Sequence, residues 1–122
     1  METVSGCNVI RPADIEGILT FGGEETGGTY TLLVGEGPAG APAPALHEHP
    51  TTDEAFYVAA GEATFRLEDE ELSVPAGSLV FVPRGTVHTV WNAGSEPLRG
   101  LIIISPANVE HEFVEVESAD PG

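Results

Sequence analysis

Apolar and polar residues alternate along this chain in short runs. In "EATFRL" (62 to 67), Ala63, Phe65 and Leu67 share one face and Glu62, Thr64 and Arg66 the other, the period of two that a half-buried strand requires. Over "EAFYVAA" (54 to 60), the same rule sets Glu54, Phe56 and Val58 on one face, so a carboxylate stands in line with core-facing side chains. Similar runs predict strands at 15 to 21, 28 to 35, 70 to 74, 78 to 82, 86 to 91 and 98 to 104. Between them lie ten prolines and fifteen glycines, spread along the whole chain as turn residues. The expected fold class is all-β. The segment "GEGPAGAPAPA" (35 to 45) reads as a long loop entering a site, so residues 1 to 122 are expected to form one domain.

The end of the chain has a different period. "SPANVEHEFVEVESADPG" opens on a Ser-Pro start signal and carries Val109, Phe113 and Val116 at helical spacing, which predicts a short helix capping the β structure. His111 falls on its polar side and is expected at the surface. The cluster "EDEE" (68 to 71) is expected to be a solvated hairpin turn.

Composition narrows the partners. Twenty acidic residues face four arginines and no lysine, a formal net charge of -16. Such a surface repels phosphate backbones and anionic lipid, so neither nucleic acid nor membrane is an expected partner. No run of about 18 apolar residues occurs, and the first residues have neither a basic region nor an apolar stretch of signal-peptide length. A soluble, cytoplasmic protein is expected. With a single cysteine, Cys7, no multi-cysteine zinc cluster can form, and any metal site must come from histidine and carboxylate.

Candidates for such a site exist. His47 and His49, one residue apart, point the same way if extended, and Glu54 follows at the head of its strand. Taken alone they are ligands or a polar turn. His88 lies mid-strand with Thr86 and Val90 on its face, a packed core residue or a ligand. Imidazoles with one carboxylate suit borderline divalent ions: Fe, Mn, Ni, Cu, Co or Zn. Three neutral histidines and one glutamate would leave such a site at a charge of about +1, and four protein ligands leave two positions open on an octahedral ion.

Two motifs place these residues in a family. Gly40, six residues, His47, one residue, His49, four residues, Glu54, six residues and Gly61 resemble the first motif of the cupin superfamily, with one extra loop residue after the glycine. Gly77, Pro83, Gly85, His88 and Asn92 match its second motif without deviation, fifteen residues further on. The resemblance, carried by residues 40 to 61 and 77 to 92, implies a conical jelly-roll β-barrel. It also implies that His47, His49, Glu54 and His88 hold one divalent transition metal inside it, with Asn92 structural. The chain looks most like small quercetin-dioxygenase-like members.

The resemblance ranks a metal-dependent dioxygenase first, acting on a small oxygen-bearing substrate chelated to the ion, with Glu54 as the catalytic base. A non-redox lyase, isomerase or cyclase stands second, and a non-catalytic small-molecule-binding protein third. Phe56, Val58, Phe65 and Val90 are expected to line the substrate pocket. Tyr30 and Trp91 could carry a polar handle into a cavity or an interface, although alternation places Trp91 opposite His88. A jelly roll leaves strand edges and an apolar outer sheet face, which members of the resembled family commonly cover by dimerising. The resemblance therefore implies a homodimer, with "FGGEETGG" and the N-terminal strand supplying the exchange surface.

Overall fold

A computed structural model describes residues 1 to 107 and 113 to 116. Two five-stranded antiparallel sheets face each other as a jelly roll, and a separate hairpin of β1 (Glu2–Val4) and β2 (Cys7–Val9) precedes them. A 3-10 turn at Pro12–Asp14 leads to β3 (Ile18–Phe21), and the "FGGEETGG" segment holds one helical turn, α1 (Gly23–Thr26). The following strands are β4 (Thr31–Gly37), β5 (His47–Glu48), β6 (Asp53–Ala60), β7 (Glu62–Leu67), β8 (Glu70–Pro75), β9 (Leu79–Val82), β10 (His88–Trp91), β11 (Leu98–Ser105) and β12 (Val114–Glu115). One sheet runs β3-β4-β11-β6-β9 and the other β12-β5-β10-β7-β8.

Alternation becomes burial where it was expected. Glu54, Phe56 and Val58 are buried on β6 while Tyr57 and Ala59 are exposed, and Ala63 and Phe65 are buried on β7. Thr64 is buried as well, against its polar parity, because the Ser73 hydroxyl across the β7–β8 pair lies 2.8 Å away and satisfies it. The "EDEE" cluster is exposed, with Glu68 (φ 56°) and Asp69 forming the hairpin turn and Glu70 and Glu71 already in β8.

The C-terminal helix is corrected for the described part of its segment. Val114 pairs with Glu48 and Glu115 with His47, so this stretch is a strand. An edge strand with open backbone groups outbids an intrinsic helical pattern of one or two turns. Val109 and His111 lie outside the described residues.

The core between the sheets is built from Phe56, Val58, Ala63, Phe65 and Val82. Phe65 has no exposed surface and meets Phe56 edge to face at 5.3 Å. Truncation by Phe65→Ala is expected to cost about 3–5 kcal/mol. That corresponds to a fall in Tm of roughly 10–20 °C for a chain of this size. Thermal unfolding of the metal-free protein, followed by circular dichroism, measures it, and a shift under about 3 °C would mean that Phe65 is not a core anchor.

Registers also order the outer face of the β3-β4-β11-β6-β9 sheet. Leu79, Tyr57, Leu101, Val34 and Leu19 form one row across all five strands, and Phe81, Ala55, Ile103, Leu32 and Phe21 form the next. Leu79 is 67% and Phe81 61% exposed, so the face is apolar and uncovered at its β9 edge.

Candidate metal centre

The two sheets bring four side chains to one point. Glu54 comes from β6, flanked in register by Val82 and Ile104, both buried. His88 lies on β10 of the facing sheet, directly opposite His47 of β5. His49 follows β5 by one residue, and the backbone N–H of Gly85 donates to its carbonyl at 2.8 Å. The ligand atoms of His47, His49, Glu54 and His88 all lie within 4.8 Å of one another. These are the four residues singled out from the sequence.

Local contacts aim them. The Pro83-Arg84-Gly85 turn closes with Thr86 N–H donating to Pro83 O, and Gly85 sits at φ 81°, where a side chain is strained. Arg84 clamps Asp53 through its backbone N–H (2.9 Å), Nε and Nη2 (both 3.2 Å), fixing the residue beside Glu54. That bond, with its charge, holds the Asp53 carboxyl below its ordinary range and raises Arg84. Thr89 Oγ1 donates to Pro44 O at 3.0 Å, tying the long loop before His47 to the strand of His88. Asn92 takes a structural place: its Nδ2 donates to Gly37 O and Glu96 O, and its Oδ1 accepts from Gly94 N–H. Gly61, at φ 83°, is required because a Cβ there would stand 2.5 Å from Pro97 O.

Hydrogen bonds also set the tautomers. His88 Nδ1 donates to Thr86 O at 2.8 Å and His47 Nδ1 to Ala45 O at 3.0 Å, which turns both Nε2 lone pairs away from the backbone. Glu54 Oε1 lies 2.7 Å from His49 Nε2 and 3.4 Å from His88 Nε2. Neither approach has hydrogen-bond geometry, and buried Glu54 Oε1 and His88 Nε2 have no hydrogen-bond partner among the described residues. A His88 Nε2 lone pair aimed at a buried carboxylate oxygen is repelled by it unless a proton or a metal cation lies between them. The group could therefore hold one metal ion, and neutral imidazoles with a carboxylate fit a divalent transition metal. Burial pulls the His88 pKa down, but the Glu54 carboxylate and the Thr86 carbonyl together outweigh it, leaving it above its ordinary 6.5.

Surroundings are apolar. Phe113, just before β12, packs its ring against His47 at 5.6 Å and His49 at 5.9 Å, and Phe56 lies 6.2 Å from His88. Sequence reasoning missed Phe113 as a neighbour of the centre, because only the long-range β5–β12 pairing puts it there. Phe56, Val58, Phe65 and Val90 line a cavity of about 180 Å³, and none of the four clustered residues is in its wall. Its lining includes Gly35 and Gly100, cross-strand partners at which a Cβ would run into backbone, Gly17 O and Tyr57 O respectively. Tyr30 is 38% exposed and Trp91 half-buried, and neither lines that cavity.

Comparison with known proteins adds three findings. The profile of a family described as Cupin domain (Cupin_2) matches residues 33–104. An uncharacterized protein of Methanocaldococcus jannaschii is 32% identical over 71 residues, 58% of this chain and 56% of the relative. The oxalate-binding protein of Thermotoga maritima is 30% identical over 59 residues, 48% of this chain and 49% of the relative. The chain thus matches about half the length of these curated relatives. Among solved structures, a protein with a double-stranded β-helix domain from Klebsiella pneumoniae superposes with a TM-score of 0.68 at 22% identity, over 89% of this chain and 91% of that one. At that identity the likeness is one of fold. No helix among the described residues is long and apolar enough to cross a membrane.

Proposed function

The chain belongs to the cupin family, and from that premise we propose that it is a mononuclear metalloenzyme of dioxygenase type, acting on a small oxygen-bearing organic substrate. What supports the metal is the convergence of His47, His49, Glu54 and His88, with buried lone pairs facing one another. One Fe, Mn, Ni, Cu, Co or Zn ion held there would supply Lewis acidity and two open positions.

The chain's own residues would do the rest. His47 is half-buried while His49, Glu54 and His88 are buried, so substrate approaches from the His47 side, past Phe113. Glu54, the only carboxylate of the four, would loosen from the ion and take the substrate's acidic proton. Phe56 faces His88 on one side and the apolar cavity on the other, and with Val58, Phe65 and Val90 it accommodates an apolar part of the substrate. Likeness to an oxalate-binding protein supports a second possibility, binding of a small oxygen ligand without turnover.

Metal analysis of protein never exposed to an affinity column, followed by oxygen uptake on chelating substrates, tests the proposal. One equivalent of a transition metal and oxygen-dependent turnover are expected. Unchanged turnover under nitrogen would replace the oxygenase by a lyase or isomerase, and tight ligand binding with no turnover would leave a binding protein.

The outer apolar rows give a further expected result, a homodimer with two such faces packed together. Each chain carries a formal charge of -16, so added salt should tighten the dimer by screening the repulsion. Phe81→Glu, which sets a charge in an exposed apolar row, should yield monomer. Sedimentation at micromolar concentration decides it, and a wild-type monomer at 0.5 M salt would refute the dimer.

A further inference from the structure

The four arginines and the chain's amino group are the only side-chain or terminal cations besides histidine, since the sequence has no lysine anywhere. Each arginine has a carboxylate or carbonyl partner outside the four clustered residues. Arg11 Nη1 pairs with Glu2 Oε1 at 2.7 Å, Arg84 clamps Asp53, and Arg99 Nε meets Glu36 Oε2 at 3.3 Å. Arg66 donates from Nε to Glu68 O and sits opposite Thr89, on the face of β10 turned away from His88. The Met1 amine pairs with Asp14 at 3.3 Å. Around the centre the chain offers instead the Phe113 and Phe56 rings. Carboxylates flank the ligands in sequence: Glu48 between His47 and His49, and Asp53 before Glu54.

Among the described residues the positive charge available to a ligand is therefore that of the centre alone, about +1 for a divalent ion with one carboxylate. A chelator with one negative charge closes that balance and leaves a neutral complex among apolar walls. A dianion leaves a net charge in a partly solvated site with no cation among the described residues to pair it, which costs affinity. Resting on the four-ligand centre proposed above, we infer that the site selects a chelator carrying at most one negative charge and discriminates against dicarboxylates. Similarity to an oxalate-binding protein would then reflect a common metal cradle with a different ligand charge.

Two probes of opposite type test this on protein loaded with Co(II), read by the visible absorption of the ion. Tropolone binds as a monoanion on an apolar ring, and oxalate is a dianion. Each affinity is divided by the probe's affinity for aqueous Co(II), which removes its intrinsic strength as a chelator. The normalised ratio should favour tropolone by at least about tenfold, the scale of one unit charge a few ångströms away in a partly solvated site. Phe113→Arg sets a guanidinium beside His47 and His49 and should recover about tenfold for oxalate relative to tropolone. Equal normalised affinities in the wild type, or a ratio that Phe113→Arg does not move, would overturn the inference. A protein that takes up no Co(II) defeats the metal centre itself, and the loading step shows that before any probe is added.

Discussion

His88→Ala is expected to abolish stoichiometric metal uptake. Removing a group that merely orients a ligand costs about 10–100-fold in metal affinity, so deleting an Nε2 donor should cost on the order of 100-fold or more. His88 is 2% exposed and its ring is held by Thr86 O. The stabilising effect of added metal should fall with it, by about 2.7 kcal/mol for each 100-fold loss of affinity when the ion is in excess. Trp91→Phe is the control, on the opposite face of the same strand, and should bind as the wild type does. Metal titration by calorimetry and the metal-induced shift in Tm measure the two effects, and uptake unaffected by His88→Ala would sink the metal centre.

The same histidine sets a pH dependence. Its pKa in the metal-free fold is raised above 6.5, so the proton bond to His88 stabilises that fold fully below 6.5 and is lost as pH rises through the raised value. Metal needs the opposite state, the free Nε2 lone pair, and must displace the proton. Apparent metal affinity should therefore fall about tenfold per pH unit below the raised pKa and level off above it.

Strands with several alternations were legible in the sequence because burial on one face needs a period of two over enough residues to be seen. β6 and β7 are such cases, and the parity that buries Phe56 and Val58 also carries Glu54 inward. β5 and β12 have two residues each, too few for any period, and exist only through pairing with other strands. That is why the apolar spacing of Phe113 and Val116 suggested a helix, and why Phe113 beside the histidines was invisible. The four clustered residues were legible for a different reason: turns at Gly61 and Gly85 and the staple at Asn92 need particular residue types at fixed offsets from them. The cavity beside Gly35 and Gly100 had no such signature, because these glycines answer to close backbone approaches, of Gly17 O and Tyr57 O, that only the folded pairing creates.

Glu54→Gln separates holding the metal from doing chemistry. Glutamine keeps the shape and one carbonyl oxygen of Glu54 but neither its charge nor its capacity to accept a proton, so three histidines should still retain the ion, more weakly. If Glu54 is the base, oxygen-dependent turnover should fall by about 10²–10⁴ when normalised to bound metal. If it is only a ligand, turnover should track metal occupancy and the normalised rate should stay within a few-fold of wild type. A readout independent of activity comes from the metal-free protein. The Glu54 carboxylate is one of the two groups that lift His88 against its burial, so in Glu54→Gln the His88 pKa should drop, with burial now opposed mainly by Thr86 O. NMR titration of the imidazole measures that drop. A His88 pKa equal in the two proteins would mean that Glu54 does not act on His88 in the metal-free fold, and the 3.4 Å approach between Oε1 and Nε2 would carry no electrostatic consequence.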